Sequence, residues 1–455
     1  MGITPIKYIT GRIRRTSGKT VTATVKTNQP SGKINGWLAL SPLLVFIGVY
    51  LITSITINDF YKIPISSAFL IASIYSLIIG KGNIEHRISV FSSGAGNKNV
   101  LLMIWIFILA GAFSGSAKAI GAIDATVNLT IMILPGKLLF AGLFLASCFI
   151  SMAIGTSVGT VVALVPIASG IAQEAGFGIP MVTAIIVGGA FFGDNLSFIS
   201  DTTIAATKTQ GCSMSDKFKA NISIAAPAAI VVTVIYLILG QSAGNIPSPG
   251  PQNWILIMPY ILVIVLAISG MNVMTVLTLG MGTNFIIGLI SGKIGWAGFL
   301  RAVGDGISGM SGLIIVTMLA GGMLEVIRQN GGLDFIIKGL TKRIKGKRGA
   351  EFSIAALVSL VNFCTANNTI AIITTGQISK DITTRFGLDP RKTASILDTF
   401  SCVIQGIIPY GAQLLMAAGL AKISSASIIA YLYYPLSLAF FACLAIIFRF
   451  PGKYS

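Results

Sequence analysis

Charge is scarce in this 455-residue chain: Asp, Glu, Lys and Arg make up 10% of it, against a hydrophobic share of 54%. A soluble chain carries about 25% charged residues, so there is too little charge to cover a water-facing surface, and a soluble enzyme is excluded. Histidine occurs once, at His86, which leaves no imidazole cluster for a soft metal and no histidine pH switch inside the protein. The five cysteines (Cys148, Cys212, Cys364, Cys402 and Cys443) lack CxxC spacing and mostly sit in apolar stretches. Neither a zinc site nor a disulfide framework is expected from them. Residues 1–33 are basic and lack the apolar core of a signal peptide, which reads as a cytoplasmic tail. The DDxxD pattern of diphosphate enzymes is absent, and Phe192-Gly193-Asp194 only grazes the GxGD pattern of intramembrane proteases. No enzyme activity and no cofactor are expected.

What the chain does have is long charge-free runs: 34–58, 63–80, 99–117, 138–173, 220–292, 306–324, 352–379, 399–421 and 423–448. Most reach the roughly 18–20 residues that cross a bilayer as helix, and mean hydropathy is +0.86. The lipid bilayer is therefore the first partner. The net charge of +18 is scattered through short loops without an aromatic-interleaved basic module, so it does not imply nucleic acid; the positive-inside rule accounts for it.

The sequence repeats itself at half-length. Leu109-Ala110-Gly111 recurs as Leu319-Ala320-Gly321, and Gly121-Ala122-Ile123-Asp124 as Gly331-Gly332-Leu333-Asp334. Gly94-x-Gly96 matches Gly304-x-Gly306, and downstream Thr156-x-x-x-Thr160 pairs with Thr365-x-x-x-Thr369. Each half reads as three apolar spans, near 38–57, 64–80 and 100–118, then near 254–270, 271–291 and 311–327. A long charge-free segment with a polar, glycine-bearing middle follows. One straight helix over 138–173 would be about 54 Å long, too long for a hydrocarbon core of about 30 Å, so a re-entrant hairpin is expected there and at 352–379. A helix broken near its middle comes next (Gly193 to Thr203; Gln405 to Gln413), and a last span closes each half near 222–241 and 427–448.

Five crossings per half is odd, so the second half is expected upside down relative to the first, an inverted-topology repeat of the kind found in secondary transporters. The fold class expected is thus an all-α polytopic membrane protein. It would have about ten transmembrane helices and two re-entrant hairpins in two inverted-topology repeats, with discontinuous helices at the midplane. The divisions are a basic tail at 1–34, a first repeat at 35–241, an external linker at 242–251, a second repeat at 252–450 and a C-terminus at 451–455. With both termini cytoplasmic, the inner segments (1–37, 81–99, 208–221, 328–351, 380–392, 449–455) hold 26 of the 32 Lys and Arg. That asymmetry supports this orientation in a plasma membrane.

Irregular backbone at membrane depth is tolerated where protein or a water-filled cavity satisfies it. Two hairpin tips and two helix breaks should therefore meet in one polar site, where hydroxyl, amide and carbonyl oxygens suit Na⁺. Asp194 and Asp201 flank the first break. An aspartate at helix centre costs roughly 2.5–3.5 kcal/mol even on the lenient scale, which a bound Na⁺ or proton would offset. The candidate ion ligands are Asp194 (the Na⁺ position), Asn195, Ser197, Asp201 and Thr202, with Thr156, Ser157 and Thr160 from the first tip. The second half contributes Thr365, Asn367, Asn368, Thr369, Gln405, Tyr410 and Gln413. A displacement of 209 sets Val403 opposite Asp194 and Tyr410 opposite Asp201, so the acid chemistry is expected in the first half. A cap or an interhelical hydrogen bond is the alternative role for either aspartate. Glu325 and Asp398 are candidates for a gate or proton path, whereas Asp124 and Asp334 read as structural loop residues.

Residues 188–203, Gly-Gly-Ala-Phe-Phe-Gly-Asp-Asn-Leu-Ser-Phe-Ile-Ser-Asp-Thr-Thr, resemble the signature of the NhaC-type sodium/proton antiporter family. Cys364 to Thr369 and Ile408-Pro409-Tyr410-Gly411 look like its second-half landmarks, and the resemblance covers roughly 38–448. It implies the ion-transporter superfamily fold, with a scaffold and a moving transport part. It also implies that Asp194, Asn195, Ser197, Asp201 and Thr202 line the cation pathway. The chain departs from better-known members at Phe198, where they carry proline, and at Pro409-Tyr410-Gly411, where they carry a tryptophan-containing turn. The function expected is antiport of cytoplasmic Na⁺ (or Li⁺) against H⁺ by alternating access. The alternative is a Na⁺- or H⁺-coupled carrier of an amino acid or small organic acid on the same fold. A homodimer is compatible with either.

Overall fold

The computed structural model describes residues 34–57, 65–133, 136–197, 200–241, 253–269, 271–342 and 344–454. Most of the basic tail, the linker at 242–251, and Phe198 and Ile199 of the signature lie outside the described residues. Helix is the only regular secondary structure among the described residues. The first half comprises α1 (Gly36–Ile57), α2 (Ile65–Ile79), α3 (Ile84–Ala95), α4 (Lys98–Ile120), α5 (Ala122–Ile133), α6 (Leu139–Ile154), α7 (Ser157–Glu174), α8 (Ile179–Leu196), α9 (Asp201–Gln210) and α10 (Met214–Gln241). The second comprises α11 (Trp254–Ile268), α12 (Val273–Ile290), α13 (Trp296–Gly309), α14 (Ser311–Gln329), α15 (Gly332–Thr341), α16 (Gly346–Thr365), α17 (Asn368–Phe386), α18 (Pro390–Ile407), α19 (Ala412–Ala421), α20 (Ser425–Ile429) and α21 (Tyr433–Ile447). Eight helical stretches among the described residues are long and apolar enough to cross a membrane, and shorter apolar helices accompany them. Large apolar side chains stay exposed along the outer helices, Trp105, Ile230, Ile290 and Phe440 among them, as lipid contact requires. The protein is an all-α, multi-pass membrane protein.

Both expected hairpins form, and their tips have the same backbone. Gly155 and Ala366 take the left-handed conformation after α6 and α16, and Thr156 and Asn367 are extended before α7 and α17. A positive φ is costly for a residue with a Cβ, so Ala366 at φ 49° marks a turn imposed by the surrounding packing.

Element ends set the register of the repeat. Ile179–Leu196 and Pro390–Ile407 begin and end 211 residues apart, as do Asp201–Gln210 and Ala412–Ala421. The displacement of 209 read from the paired threonines is therefore two residues short at the site. The partner of Asp194 is Gln405 rather than Val403, that of Asp201 is Ala412 rather than Tyr410, and that of Ser157 is Asn368.

Segments read as aqueous loops also turn out to be packed helices. Helix α3 lies on α14, where a Cβ on Gly94 would come within 2.4 Å of the Gly321 carbonyl oxygen. Reciprocally, α13 lies on α4, where a Cβ on Gly306 would come within 2.1 Å of the Gly111 carbonyl oxygen. Each half thus lends a short helix to the other, with backbones close enough to admit only hydrogen at the crossing. Asp124 and Asp334 stand exposed in the first turns of α5 and α15, where a negative charge complements the helix dipole.

Candidate cation-binding site

Helices α6 and α8 pack with almost no side chain between them. Ser147 Oγ donates to the Ile186 carbonyl at 2.7 Å, and Ser151 Oγ to the Ala190 carbonyl at 2.6 Å. Gly189 and Gly193 face these serines, and a Cβ on Gly193 would sit 2.1 Å from Ser151 Oγ. The second repeat repeats the contact, with Asn362 Nδ2 donating to the Ser401 carbonyl at 2.7 Å. This close approach brings the first hairpin tip against the last turn of α8.

There Asp194, 4% exposed, accepts from the Ser157 backbone N–H at 2.8 Å and from Ser157 Oγ. Thr156 makes no side-chain cap bond, so the carboxylate caps α7 from across the site, and the positive end of that helix favours its charge. The expected alternative, a helix cap, is thus a real part of its role. A carboxylate offers about four lone-pair sites, and Ser157 uses two.

A chain of hydrogen bonds joins this acid to the second hairpin. Gln413 Nε2 donates to Ser157 Oγ at 2.9 Å, Gln405 Nε2 donates to Gln413 Oε1 at 3.0 Å, and Gln405 Nε2 also reaches the Ala366 carbonyl at 3.1 Å. The four elements expected to converge do so: two tips and two breaks.

Other candidates fall into distinct surroundings. Thr202 Oγ1 donates to the Asp194 carbonyl at 3.2 Å, and Ser197 Oγ to the Met152 carbonyl at 2.9 Å, each fixing the broken strand of backbone. Thr160 donates back to Thr156 within α7. In the second tip, Asn367 caps its own helix by accepting from the Ile370 N–H at 2.9 Å, Asn368 Oδ1 accepts from the Thr369 N–H, and Thr365 donates to the Asn367 carbonyl. Tyr410 spends its hydroxyl on the Phe363 carbonyl at 2.7 Å, and its ring packs edge-on against Phe46 and Phe69. Its contacts are those of an anchor between α1, α2 and the second break. Asp201 opens α9 on an exposed face, outside the buried set.

Glu325 forms an ion pair with Arg328 at 2.6 Å. Both line a cavity of about 300 Å³ that also touches Asn97, Thr317, Thr365, Asn367 and Tyr410, so this cavity reaches the second tip.

Asp398 is fully buried and ion-paired with Lys217, itself 1% exposed. Lys217 Nζ also donates to the Asn195 carbonyl at 2.5 Å and to Thr203 Oγ1 at 2.8 Å. Asn221 Nδ2 donates to Asn195 Oδ1 at 2.5 Å, while its own Oδ1 accepts from Ser395 and Thr399. A reading of residues 208–221 as a basic loop hides this: Lys217 is part of the interior. The signal available was its spacing, since Lys217, Asn221, Ile224, Ala225 and Ala228 fall on one helical face. The result is a buried cluster with two carboxylates and one ammonium. Among the described residues, no basic side chain pairs with Asp194.

The sequence profile of the Na⁺/H⁺ antiporter family matches residues 17–241 and 253–453. A Bacillus subtilis protein named malate-2H⁺/Na⁺-lactate antiporter is 24% identical, over 91% of this chain and 95% of its own length. The Na⁺/H⁺ antiporter NhaC of Alkalihalophilus pseudofirmus is 23% identical, over 90% of this chain and 95% of its own. Among solved structures, the YdaH transporter of Alcanivorax borkumensis aligns over 90% of this chain and 99% of its own, at 14% identity and a TM-score of 0.41. That profile spans nearly the whole of this all-helical membrane chain and places the protein in the Na⁺/H⁺ antiporter family.

Proposed function

We propose that the protein exports cytoplasmic Na⁺ (or Li⁺) in exchange for H⁺ across the plasma membrane, with Asp194 holding the two cations in turn. One observation carries this reading: two carboxylates share the buried cluster with a single ammonium, and that ammonium is committed to Asp398. An isolated buried carboxylate is strongly disfavoured, so Asp194 holds a proton or binds a small cation. Ser157 leaves carboxylate lone pairs for a hard cation, and Gln405 Oε1, buried without a hydrogen-bond partner among the described residues, is a neutral oxygen in the same hydrogen-bond chain. Na⁺ and H⁺ are the cargo; no catalytic step and no cofactor is assigned.

Alternating access then requires the paired tips and breaks to move as one body against the remaining helices, exposing Asp194 to each side in turn. The cavity beside Arg328 is the cytoplasmic vestibule in this scheme, with both termini on the same side. Each chain carries a complete pathway, in a homodimer as in a monomer. In everted vesicles, Na⁺ should collapse a preformed proton gradient, and Asp194→Asn should abolish the response. An active preparation that ignores Na⁺ would sink the proposal.

The same vestibule favours a second reading. A volume of about 300 Å³ exceeds what a bare ion needs and fits a small organic acid or amino acid, with Asn97, Thr317 and Thr365 as polar wall. A relative named for malate and lactate exchange agrees with that size. Na⁺-dependent thermal stabilisation by one such solute would favour this reading over simple cation exchange.

A further inference from the structure

We propose that Lys217 is a resident cation that limits the site to one exchangeable monovalent cation. This inference rests on the reading of Asp194 as the transported cation's ligand.

The geometry is that of a fixed charge. An ammonium has three N–H donors, and Lys217 places all three, on Asp398, on the Asn195 carbonyl at 2.5 Å and on Thr203 at 2.8 Å. Those partners come from α18, from the last turn of α8 and from α9. The Asn195 carbonyl belongs to the negative end of α8, where a cation is favoured. The titratable groups that face the pair are Asp194 on α8, Cys402 on α18, whose Sγ lies 3.9 Å from Asp398 Oδ1, and Tyr434 on α21. Of these, Asp194 is the one whose side chain can be anionic near neutral pH, since thiols and phenols ionise above it.

Asp398 therefore resembles Asp194 in burial and differs from it in having a cation tethered by the chain. The pair has no counterpart in the repeat. At the 211-residue register, Lys217 corresponds to Ile428 and Asp398 to Val187, both apolar. Without Lys217, the cluster would present two uncompensated carboxylates and would take up a second monovalent cation. Lys217 occupies that second position permanently, so one charge is left to exchange.

Counting bound ions tests this. Purified protein in nanodiscs at alkaline pH is saturated with radioactive Na⁺, and infrared spectra report protonated carboxyl groups. Wild type should bind one Na⁺ per chain, and Asp194→Asn none. Loss of the wild-type site itself, or binding unaffected by Asp194→Asn, would count against the proposed function instead. Lys217→Gln should bind two Na⁺, or one Na⁺ with a new protonated-carboxyl band that Asp398→Asn removes. The double variant Lys217→Gln/Asp398→Asn should return to one Na⁺ with no such band. One Na⁺ and no new band in Lys217→Gln would overturn the inference. Should that variant fail to fold, Asp398→Asn alone decides. It leaves Lys217 uncompensated beside Asp194, so Na⁺ affinity should fall at least tenfold and recover in the double variant. Unchanged affinity in Asp398→Asn would equally overturn it.

Discussion

Gly193 sits one residue before Asp194, and its missing side chain sets the distance between α8 and the first hairpin. In Gly193→Ala, the new Cβ would lie 2.1 Å from Ser151 Oγ, 2.2 Å from Ser151 Cβ and 2.5 Å from its carbonyl carbon. Ordinary contact is about 3.5–4.0 Å, so α6 has to retreat by roughly 1 Å or more. Rotating Ser151 cannot relieve the contact, because one of the clashing atoms is backbone. Overpacking of this kind costs about 1–3 kcal/mol of stability. The retreat also pulls the tip away from Asp194 and weakens at least one hydrogen bond to a charged group, a loss of about 1.5–3 kcal/mol. At about 1.4 kcal/mol per decade, half-saturating Na⁺ should rise roughly 10- to 150-fold. Gly188→Ala is the control. It gives the same gain in helix propensity on the same helix, and its Cβ meets nothing closer than Tyr434 Cβ at 3.2 Å. Na⁺-dependent collapse of a proton gradient in everted vesicles reads both variants. If Gly193→Ala reaches normal membrane levels and half-saturates within twofold of Gly188→Ala, the close approach does not position the acid.

Gln413→Leu removes the bridge between the two tips and leaves Gln405 and Ser157 each short of a partner. It should cost about 1–3 kcal/mol, seen as a lowered melting temperature of the detergent-solubilised protein. Gly306→Ala should destabilise the α4–α13 crossing, where the new Cβ meets Gly111 backbone, while Gly304→Ala, with nothing within 4 Å, should melt like wild type. Asp389 caps α18 by accepting from the Arg391 N–H at 2.8 Å and pairs with the Arg391 guanidinium. Burial pushes its carboxyl up, but the Arg391 hydrogen bonds outweigh that and hold it below the usual carboxylate range. Its folded pKa lies below the unfolded value, so its stabilisation is present above about pH 4 and fades as pH falls through the folded value. Asp389→Ala should therefore cost about 1 kcal/mol near neutral pH. The gap in melting temperature should narrow below about pH 4.

The hairpins, the breaks and Asp194 were legible because each interrupts a long apolar run, where a polar residue has no inexpensive place to go. Gly155 and the Asp194-Asn195 pair announce themselves against leucine and valine. Lys217 was not legible in the same way. It lies between Lys208 and Lys219 in a stretch that composition alone reads as loop, and turning one lysine of three inward depends on where Asp398 arrives from 181 positions later. Helices α3 and α13 were missed for a related reason. Each carries charge, such as Arg87 or Arg301 and Asp305, and the periodicity of a short helix is weak. What holds each in place is a glycine crossing with the opposite repeat, a contact between halves that no local pattern contains.

The register explains why a symmetric frame yields an asymmetric site. Two residues of slippage moved the reading from Val403 to Gln405, and with that shift the partner of Asp194 becomes a polar group inside the same hydrogen-bond chain. The two repeats solve one problem, capping the second helix of a hairpin, by different means. In the second repeat Asn367 caps α17 from its own position, so the side chain on the facing helix is free to be a donor, and Gln405 donates to the Ala366 carbonyl. In the first repeat Thr156 makes no cap bond, so the facing side chain must accept. A carboxylate accepts with both oxygens, and a neutral amide could offer just one. The acid is thus placed where the backbone needs an acceptor and where, among the described residues, no basic side chain pairs with it, which is the arrangement that the proposed exchange of Na⁺ and H⁺ at Asp194 requires.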